Sequence, residues 1–453
     1  EAEIPEGVII QFGGQTPLKL AVPLQKYLDT NPDVPTKIWG TSPDSIDTAE
    51  DRERFEKILR QLDIRQPANG LARSFDEALQ VAKRINYPVV VRPSYVLGGR
   101  AMEIVYSDTE LDRYMVYAVQ VEPDHPILID QFLENAIEVD VDAIADLSGN
   151  VVIGGIMEHI EQAGIHSGDS ACSIPTVTLP ESVLSVIRTW TIELAKALNV
   201  VGLMNIQFAV QGEQVYILEA NPRASRTVPF VSKAIGIPLA KMAVRVMSGK
   251  TLESLGYTQE VIPTHISVKE AVLPFSKFPG TDIILGPEMR STGEVMGIDS
   301  DFGKAFAKAE LGASQVLPQS GTVFVSMNDR DKASAIPVVK DLISLGFQVV
   351  ATAGTRQFFH ENGLDVELVL KLHEGRPNIL DSIKNEKIQL IINTPIGATA
   401  QIDDRSIRRT ALLQKIPIVT TIAGANATAA AIRSLQSQPL EVKALQDYVI
   451  KGG

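Results

Sequence analysis

This 453-residue sequence predicts a chain of mixed α/β and α+β class, an antiparallel hairpin-bearing part followed by a parallel α/β part. Three observations carry that expectation. Two apolar runs, 203–210 and 215–219, flank a Gln-Gly-Glu-Gln turn, which is a hairpin signal. Ile137–Ala143 alternates strictly, apolar at odd and acidic at even positions, as a strand with one buried face does. Beyond residue 321, short apolar runs alternate with helical stretches through short loops, the pattern of a separate Rossmann-like domain built on a parallel sheet.

The bulk numbers exclude several classes. A chain of this length exceeds a single core, so two or three domains are expected. Hydrophobic residues at 45% and charged residues at 21% are ordinary for a globular protein. The net charge of −13 argues against a general nucleic-acid surface, since a phosphate backbone requires clustered Lys and Arg. It leaves room for a small nucleotide, which needs only a local positive pocket. No apolar run reaches the eighteen or so residues of a membrane span, and the opening carries no signal-peptide pattern. The single cysteine, Cys172, permits no internal disulfide and fits a reducing, cytoplasmic setting. It reads as a small buried thiol, because a catalytic cysteine needs a neighbouring base.

The hairpin carries the chemistry. Gln207 interrupts the first strand, and Glu219 and Asn221 end the second; two residues apart, they point to one face of an extended chain. A carboxylate in a buried strand is costly unless it is paired or bound to a metal. One carboxylate and two amide oxygens suit Mg²⁺ or Mn²⁺, whose shell phosphates can complete. Arg223 and Arg226 follow, able to neutralise phosphate charge. For Gln207 and Glu219 to share a face, the expectation is an odd-length connection or a bulge near Gln211–Gln214. The bland alternative is a surface hairpin with a salt-bridged Glu; the Gln/Glu/Asn/Arg/Arg set argues against it.

In chain order, Gly7–Phe12, Gly13-Gly14-Gln15, a helix through Leu28 and a strand at Lys37–Gly40 form the end of a doubly wound unit. Capping boxes Thr48…Asp51 and Ser74…Glu77 predict helices over 49–62 and 75–85. A strand at Pro88–Arg92 ends in a charge that can reach nucleotide phosphate, and Gly98-Gly99 between strands can act as a phosphate lid. Pro126–Leu133 is the next strand. Residues 158–170 read as an irregular loop whose carbonyls, hydroxyl and Glu161 can hold a monovalent cation or a triphosphate. Helices are predicted at Leu184–Leu198, Val228–Met247 and Phe302–Gly312. The later strands are Thr322–Met327, Gln348–Ala351, Ile388–Ile392 and Ile416–Thr420, with helices at 333–345 and Ala425–Ser437. Thr352 and Thr355 flank Ala353-Gly354 after a strand, where hydroxyls and backbone N–H groups can ring a phosphate. Lys371 and Lys332 can add positive charge there, and Asn393 follows the strand before it. The boundaries expected are 1–45, 46–250, 251–314 and 315–453.

Met157–Ser170, M-E-H-I-E-Q-A-G-I-H-S-G-D-S, and Arg92–Arg100, R-P-S-Y-V-L-G-G-R, together with the hairpin, resemble the large subunit of carbamoyl-phosphate synthase, in its C-terminal half. The resemblance runs from about residue 5 to the C-terminus. It implies the tail of a preceding domain, an ATP-grasp unit and a methylglyoxal-synthase-like allosteric domain, in a fragment of a longer polypeptide. It implies ATP-dependent phosphorylation of carbamate, feeding arginine and pyrimidine biosynthesis, with Arg226, Arg92 and Asn221 catalytic and Gln207, Glu219 and Asn221 on the metal. It places the nucleotide on Arg92, Gln131, Leu133, Glu138, Gly164, Ile165, His166, Ser167, Gln207 and Glu219, with K⁺ near the 158–170 loop. From the residues alone, Gln131 and Leu133 are only a strand end, and Asp140 and Asp142 have no role.

The same resemblance implies an amino-acid activator such as ornithine at Glu161, Asp169, Glu270 and Thr420. It puts a nucleotide effector, UMP or IMP, at Lys332, Thr352, Thr355, Lys371 and Asn393, with Pro395 where family members often offer a hydroxyl. Implied partners are the N-terminal half of the large subunit and a glutaminase small subunit, with an oligomer as a further possibility and neither nucleic acid nor membrane. Two alternatives stand beside this reading: a regulatory fragment without turnover, and an ATP-grasp ligase for another carboxylate.

Overall fold

The computed structural model describes residues 3, 5–93, 102–121, 126–278, 283–394 and 398–449. Gly98-Gly99 and Pro395 therefore lie outside the described residues. The chain divides into two compact units that do not follow chain order. The first comprises Glu1–His159, Ser173–Thr264 and Lys443–Gly453, and the second Ile160–Cys172 and His265–Val442.

The first unit opens with a parallel pair, Gly7–Ile9 with Lys37–Trp39. Helices Pro43–Glu50 and Arg52–Gln61 follow, capped by the side chains of Ser42 and Asp51, so the single helix expected from a Thr48 cap is two helices with other caps. Proline at the first turn of Pro43–Glu50 suits a helix start and explains the earlier onset. The Ser74 cap holds as read: its hydroxyl accepts from Glu77 N–H and opens Phe75–Ile85.

A four-stranded antiparallel sheet runs in the order Asn69–Ala72, Ile127–Gln131, Val89–Pro93, Glu103–Val105. The larger ladder of this unit sets Gln214–Asn221 beside Gly202–Gln211, then Ile137–Ala145, then Val151–Gln162. This last strand extends to Gln162, so residues 158–162, expected in a loop, are extended chain. The expected helix 228–247 is broken into Val228–Ile235 and Leu239–Met247, with Gly236 left-handed at φ 75° and Pro238 denying the backbone a donor.

One face of the larger ladder is apolar along its length. Val139, Val141, Ile206, Phe208, Val210, Val215, Ile217 and Ala220 are buried in one core with Leu184, Ile187 and Leu194 of helix Glu181–Ala197. Each fully buried Phe, Ile or Val contributes roughly 1.5–3 kcal/mol, and a one-residue slip would turn the whole set to the other face. The core thus fixes the register, and the polar face follows from it.

In the second unit, Ile266–Val272 pairs antiparallel with Gly293–Asp299. Helix Phe302–Gly312 packs on them, capped by Asp301. The five-stranded sheet is parallel throughout, in the order Glu367–Leu368, Gln348–Ala351, Thr322–Met327, Leu390–Thr394, Ile418–Val419. Every strand therefore presents its C-terminal end at the same edge.

The helix lies so close to its strand that a Cβ at Gly297 would sit 1.9 Å from the Ala305 carbonyl oxygen. Backbone cannot move aside as a flexible side chain can, so overpacking here should cost about 1–3 kcal/mol. Gly297→Ala should lower the denaturation midpoint in guanidinium accordingly, and an unchanged midpoint would mean the helix can shift freely.

Candidate functional site

The register of the hairpin builds its polar face. Gln211 pairs with Gln214 across a two-residue Gly212-Glu213 turn, Gly212 taking φ 63° at the first central position. With that turn alone, Gln207 would face Leu218. Instead the ladder shifts between Gln207 and Phe208, so Phe208 pairs with Ile217 and Gln207 with Glu219, leaving Leu218 as the extra residue. The bulge lies at Leu218, in the middle of the second strand, and not near the 211–214 turn where the sequence analysis expects it. Apolar pairs stand on both sides of it, Phe208 with Ile217 and Ile206 with Ala220, and keeping both in the core forces the insertion.

The face so formed carries Gln207, Glu219 and Asn221, with Asn205 opposite Asn221. Asn221 Nδ2 donates to Glu219 Oε1 at 2.8 Å, and Glu219 is exposed. The next strand adds Asp140 opposite Gln207 and Asp142 opposite Asn205, with Glu138 beyond them. His159, buried, has Nε2 3.2 Å from Asp140 Oδ2 and Nδ1 3.7 Å from Glu138 Oε2.

Asp140 and Asp142, which sequence reasoning left without roles, are thereby explained. Asp142 accepts from Asn205 Nδ2 at 2.9 Å, Ser225 Oγ at 2.7 Å and Thr227 Oγ1 at 2.8 Å. Burial still pushes its carboxyl up to about 6, against those donors. The strict alternation of Ile137–Ala143 marked this face, but partners distant in sequence could not be read from it. Arg223 and Arg226 sit in the loop that Asp142 holds, Arg223 half-buried and Arg226 exposed. Among the described residues no three His, Cys, Asp or Glu side chains form a metal-binding group. The hairpin offers one carboxylate with two amide oxygens, a set that suits a divalent cation only when phosphates supply the rest of its shell.

Arg92 and Gln131 lie on neighbouring strands of the four-stranded sheet. Arg92 Nε is 3.7 Å from Asp130 Oδ2, and Arg52 pairs with the same carboxylate. Gln131 N–H donates to the Ala68 carbonyl at 2.8 Å, and Leu133 is buried just beyond the strand.

Gly164, Ile165, His166 and Ser167 belong to the second unit. Gly164 has φ 101°; His166 Nδ1 accepts from Gly168 N–H at 3.0 Å, and the Ser167 carbonyl accepts from Lys269 Nζ at 3.1 Å. Asp169 is buried, with both oxygens taken by the N–H groups of Arg290 and Ser291 at 2.7 and 2.8 Å. It anchors this loop and has little left to give an amine. Glu161 accepts from Ala171 N–H at 2.6 Å.

Glu270 is pushed well above the usual carboxylate range by burial and by the nearby Glu310. Glu310 itself is pushed up to about 8 by burial and by Glu161. Sequence reasoning missed Glu310, a half-buried acid on helix Phe302–Gly312 that carried no motif.

On the parallel sheet, the expected effector residues gather at one edge. Thr352 and Thr355 follow Gln348–Ala351, their hydroxyls 3.4 Å apart. A Cβ on Gly354 between them would lie 3.8 Å from Lys332 Nζ, and that ammonium pairs with Asp329 at 2.6 Å. Asn393, fully buried, donates to the Ser326 carbonyl at 3.4 Å. Lys371 is exposed beyond Glu367–Leu368, and Thr420, half-buried, follows Ile418–Val419.

Comparison with solved structures defines the class. A biotin carboxylase from Campylobacter jejuni superposes with TM-score 0.55 at 18% identity, over 68% of this chain and 75% of its own. N5-carboxyaminoimidazole ribonucleotide synthetase from Thermus thermophilus does so with TM-score 0.53 at 17% identity, over 70% of this chain and 82% of its own. These likenesses show an ATP-grasp fold of the biotin carboxylase kind.

Sequence comparison narrows it. Residues 1–48 match the carbamoyl phosphate synthase preATP-grasp domain, 51–255 the carbamoyl-phosphate synthase L chain ATP binding domain, and 334–420 the MGS-like domain. The carbamoyl phosphate synthase large chain of Nostoc is 72% identical over 99% of this chain and 43% of its own length. That of Synechocystis is 74% identical over 99% and 42%. The arginine-specific large chain of rice chloroplasts is 60% identical over 99% and 39%. The chain belongs to the carbamoyl phosphate synthase large-chain family and spans less than half the length of these relatives. No described helix is long and apolar enough to cross a membrane.

The raised Glu310 carboxyl has a consequence for stability. A carboxyl that holds its proton more tightly folded than unfolded contributes stability fully below the unfolded value of 4.5, and loses it as pH rises through about 8. Denaturant titrations at about pH 6 and about pH 8.5 should show parent stability falling with pH, and Glu310→Gln falling less. Equal slopes in the two proteins would mean that Glu310 ionises as an ordinary surface acid.

Proposed function

We propose that this chain carries out the ATP-dependent phosphorylation of carbamate to carbamoyl phosphate, the second phosphoryl transfer of a carbamoyl-phosphate synthase. The observation that carries the reading is the hairpin register, which sets Gln207 opposite Glu219 with Asn221 on the same face. A divalent cation, Mg²⁺ or Mn²⁺, held by these three oxygens would neutralise charge on the nucleotide phosphates. Carbamate oxygen attacks the γ-phosphorus, the bond to the bridging oxygen breaks, and ADP leaves. Such chemistry is mostly positioning and charge neutralisation, and Arg92 and Arg226 supply positive charge to the transferring group. Gln131, Leu133 and Glu138 take the nucleoside end; in the second unit, the Gly164–Ser167 loop takes K⁺.

The remaining assignments follow from the same reading. Bicarbonate activation falls to the N-terminal half of the large chain, and ammonia comes from a glutaminase small subunit, so this chain hydrolyses no glutamine. Glu161, Glu270 and Thr420 receive a cationic amino acid such as ornithine, with Asp169 shaping the loop beside them. The sheet edge of Lys332, Thr352, Thr355, Lys371 and Asn393 receives a nucleoside monophosphate, UMP or IMP. The product feeds arginine and pyrimidine synthesis.

The reverse direction, ATP formed from carbamoyl phosphate and MgADP, needs no bicarbonate activation and tests the reading on this chain directly. The parent should form ATP, and Glu219→Gln should form it at least about 100-fold more slowly while melting within about 2 °C of the parent. ATP formation at the parent rate by Glu219→Gln would remove the hairpin from the reaction.

A further inference from the structure

The segment Pro222–Thr227 joins strand Gln214–Asn221 to helix Val228–Ile235 without regular structure of its own, yet it carries both Arg223 and Arg226. A guanidinium on a long flexible stem is useful to a transferring phosphoryl group only if its backbone is fixed, since small displacements cost catalysis heavily. The loop is held from two directions. Asp142 Oδ1 accepts from Ser225 Oγ at 2.7 Å and Oδ2 from Thr227 Oγ1 at 2.8 Å, and the two hydroxyls lie 2.7 Å apart. Asn205 Nδ2 steadies the same carboxylate from the neighbouring strand.

On the other side, Gln11 Nε2 donates to the Pro222 carbonyl at 2.7 Å, and the Gln11 backbone carbonyl accepts from Ala224 N–H at 3.0 Å. Gln11 is itself fully buried, its Nε2 3.0 Å from Thr41 Oγ1 and its Oε1 accepting from Thr41 N–H at 2.9 Å. A Cβ at Gly40, where φ is 103°, would lie 2.0 Å from that Oε1, so glycine is required there for the glutamine to take this place.

We propose that Asp142 and Gln11 are positioning residues that clamp the Pro222–Thr227 loop, presenting Arg223 and Arg226 to the phosphoryl group without touching substrate. The role of the arginines rests on the proposed function; the clamp rests on the bonds above. A buried carboxylate with three donors is an expensive way to fill space, where an apolar side chain would pack without desolvation cost. What it supplies is direction. Its loop-side donors are the two hydroxyl residues that flank Arg226, and Gln11 grips the residues on either side of Arg223.

The test uses the whole chain and two readouts. Trypsin cuts after arginine, so Arg223–Ala224 and Arg226–Thr227 report release of the loop whether or not the chain is active. Asp142→Ala should be cut at those bonds about tenfold faster or more than the parent, with other sites unchanged, because local opening sets the cleavage rate. In ATP formation from carbamoyl phosphate and MgADP, the same variant should lose about 100-fold in kcat, with KM for MgADP within about threefold. Asp142→Asn keeps most of the hydrogen-bonding capacity and should recover to within about tenfold of parent kcat.

If Asp142→Ala fails to fold, Thr227→Val carries the test, and the same selective cleavage is expected of it. A loop cut no faster than in the parent, or cleavage raised uniformly along the chain in Thr227→Val, overturns the positioning role. A parent that forms no ATP overturns the proposed function instead, and the cleavage pattern then decides the clamp alone.

Discussion

An extra residue in one strand of a hairpin decides which side of the sheet receives Glu219. Leu218 is that residue, and it is accommodated because the pairs on both sides of it are held in the core: Phe208 against Ile217 toward the turn, Ile206 against Ala220 toward the strand end. Burial of these side chains far outweighs the cost of an interrupted ladder, which loses at most one or two backbone hydrogen bonds of about 1 kcal/mol each. The polar face is thus a consequence of the apolar one. With the register fixed, Gln207, Glu219, Asn221 and Asn205 fall on the same side as Asp140 and Asp142, and the oxygen donors need no further device to assemble them.

The cost of that face appears in Asp142 and His159. Both are buried: Asp142 accepts from Asn205 on the neighbouring strand and from Ser225 and Thr227 on the arginine loop, and His159 lies beside Asp140. A neutral core would be easier to fold. Charged and polar groups here tie the loop after the hairpin, the hairpin itself and the adjacent strand into one connected network, which is the form in which buried polar groups are tolerated. In the second unit burial and neighbouring acids push the Glu270 and Glu310 carboxyls up, so these two hold protons that an exposed carboxylate gives up.

Much of this was legible in the residues. Period-two alternation marked the Ile137–Ala143 strand and its two faces, the hydroxyl at Ser74 marked a helix start, and the parallel domain announced itself by strand and helix alternation. The spacing of Glu219 and Asn221 put them on one face. The bulge position was not legible, because parity requires one extra residue but does not say where packing tolerates it. Nor was the role of Asp142, since Ser225 and Thr227 are 83 and 85 residues away. Glu310 sits in an ordinary amphipathic helix, and only folding brings it to Glu270. The break at Gly236 and Pro238 is written in the residues, but the apolar run on both sides of it reads as one helix.

The central claim is that the bulged hairpin, and no other acidic group of the chain, receives the divalent cation of a bound nucleotide. Crystals grown with Mn²⁺ and ADP test it most directly through the anomalous scattering of manganese. The account predicts a peak bounded by the side-chain oxygens of Gln207, Glu219 and Asn221. A peak at Asp140 and His159, or among Glu161, Glu270 and Glu310, with none at the hairpin, would contradict it.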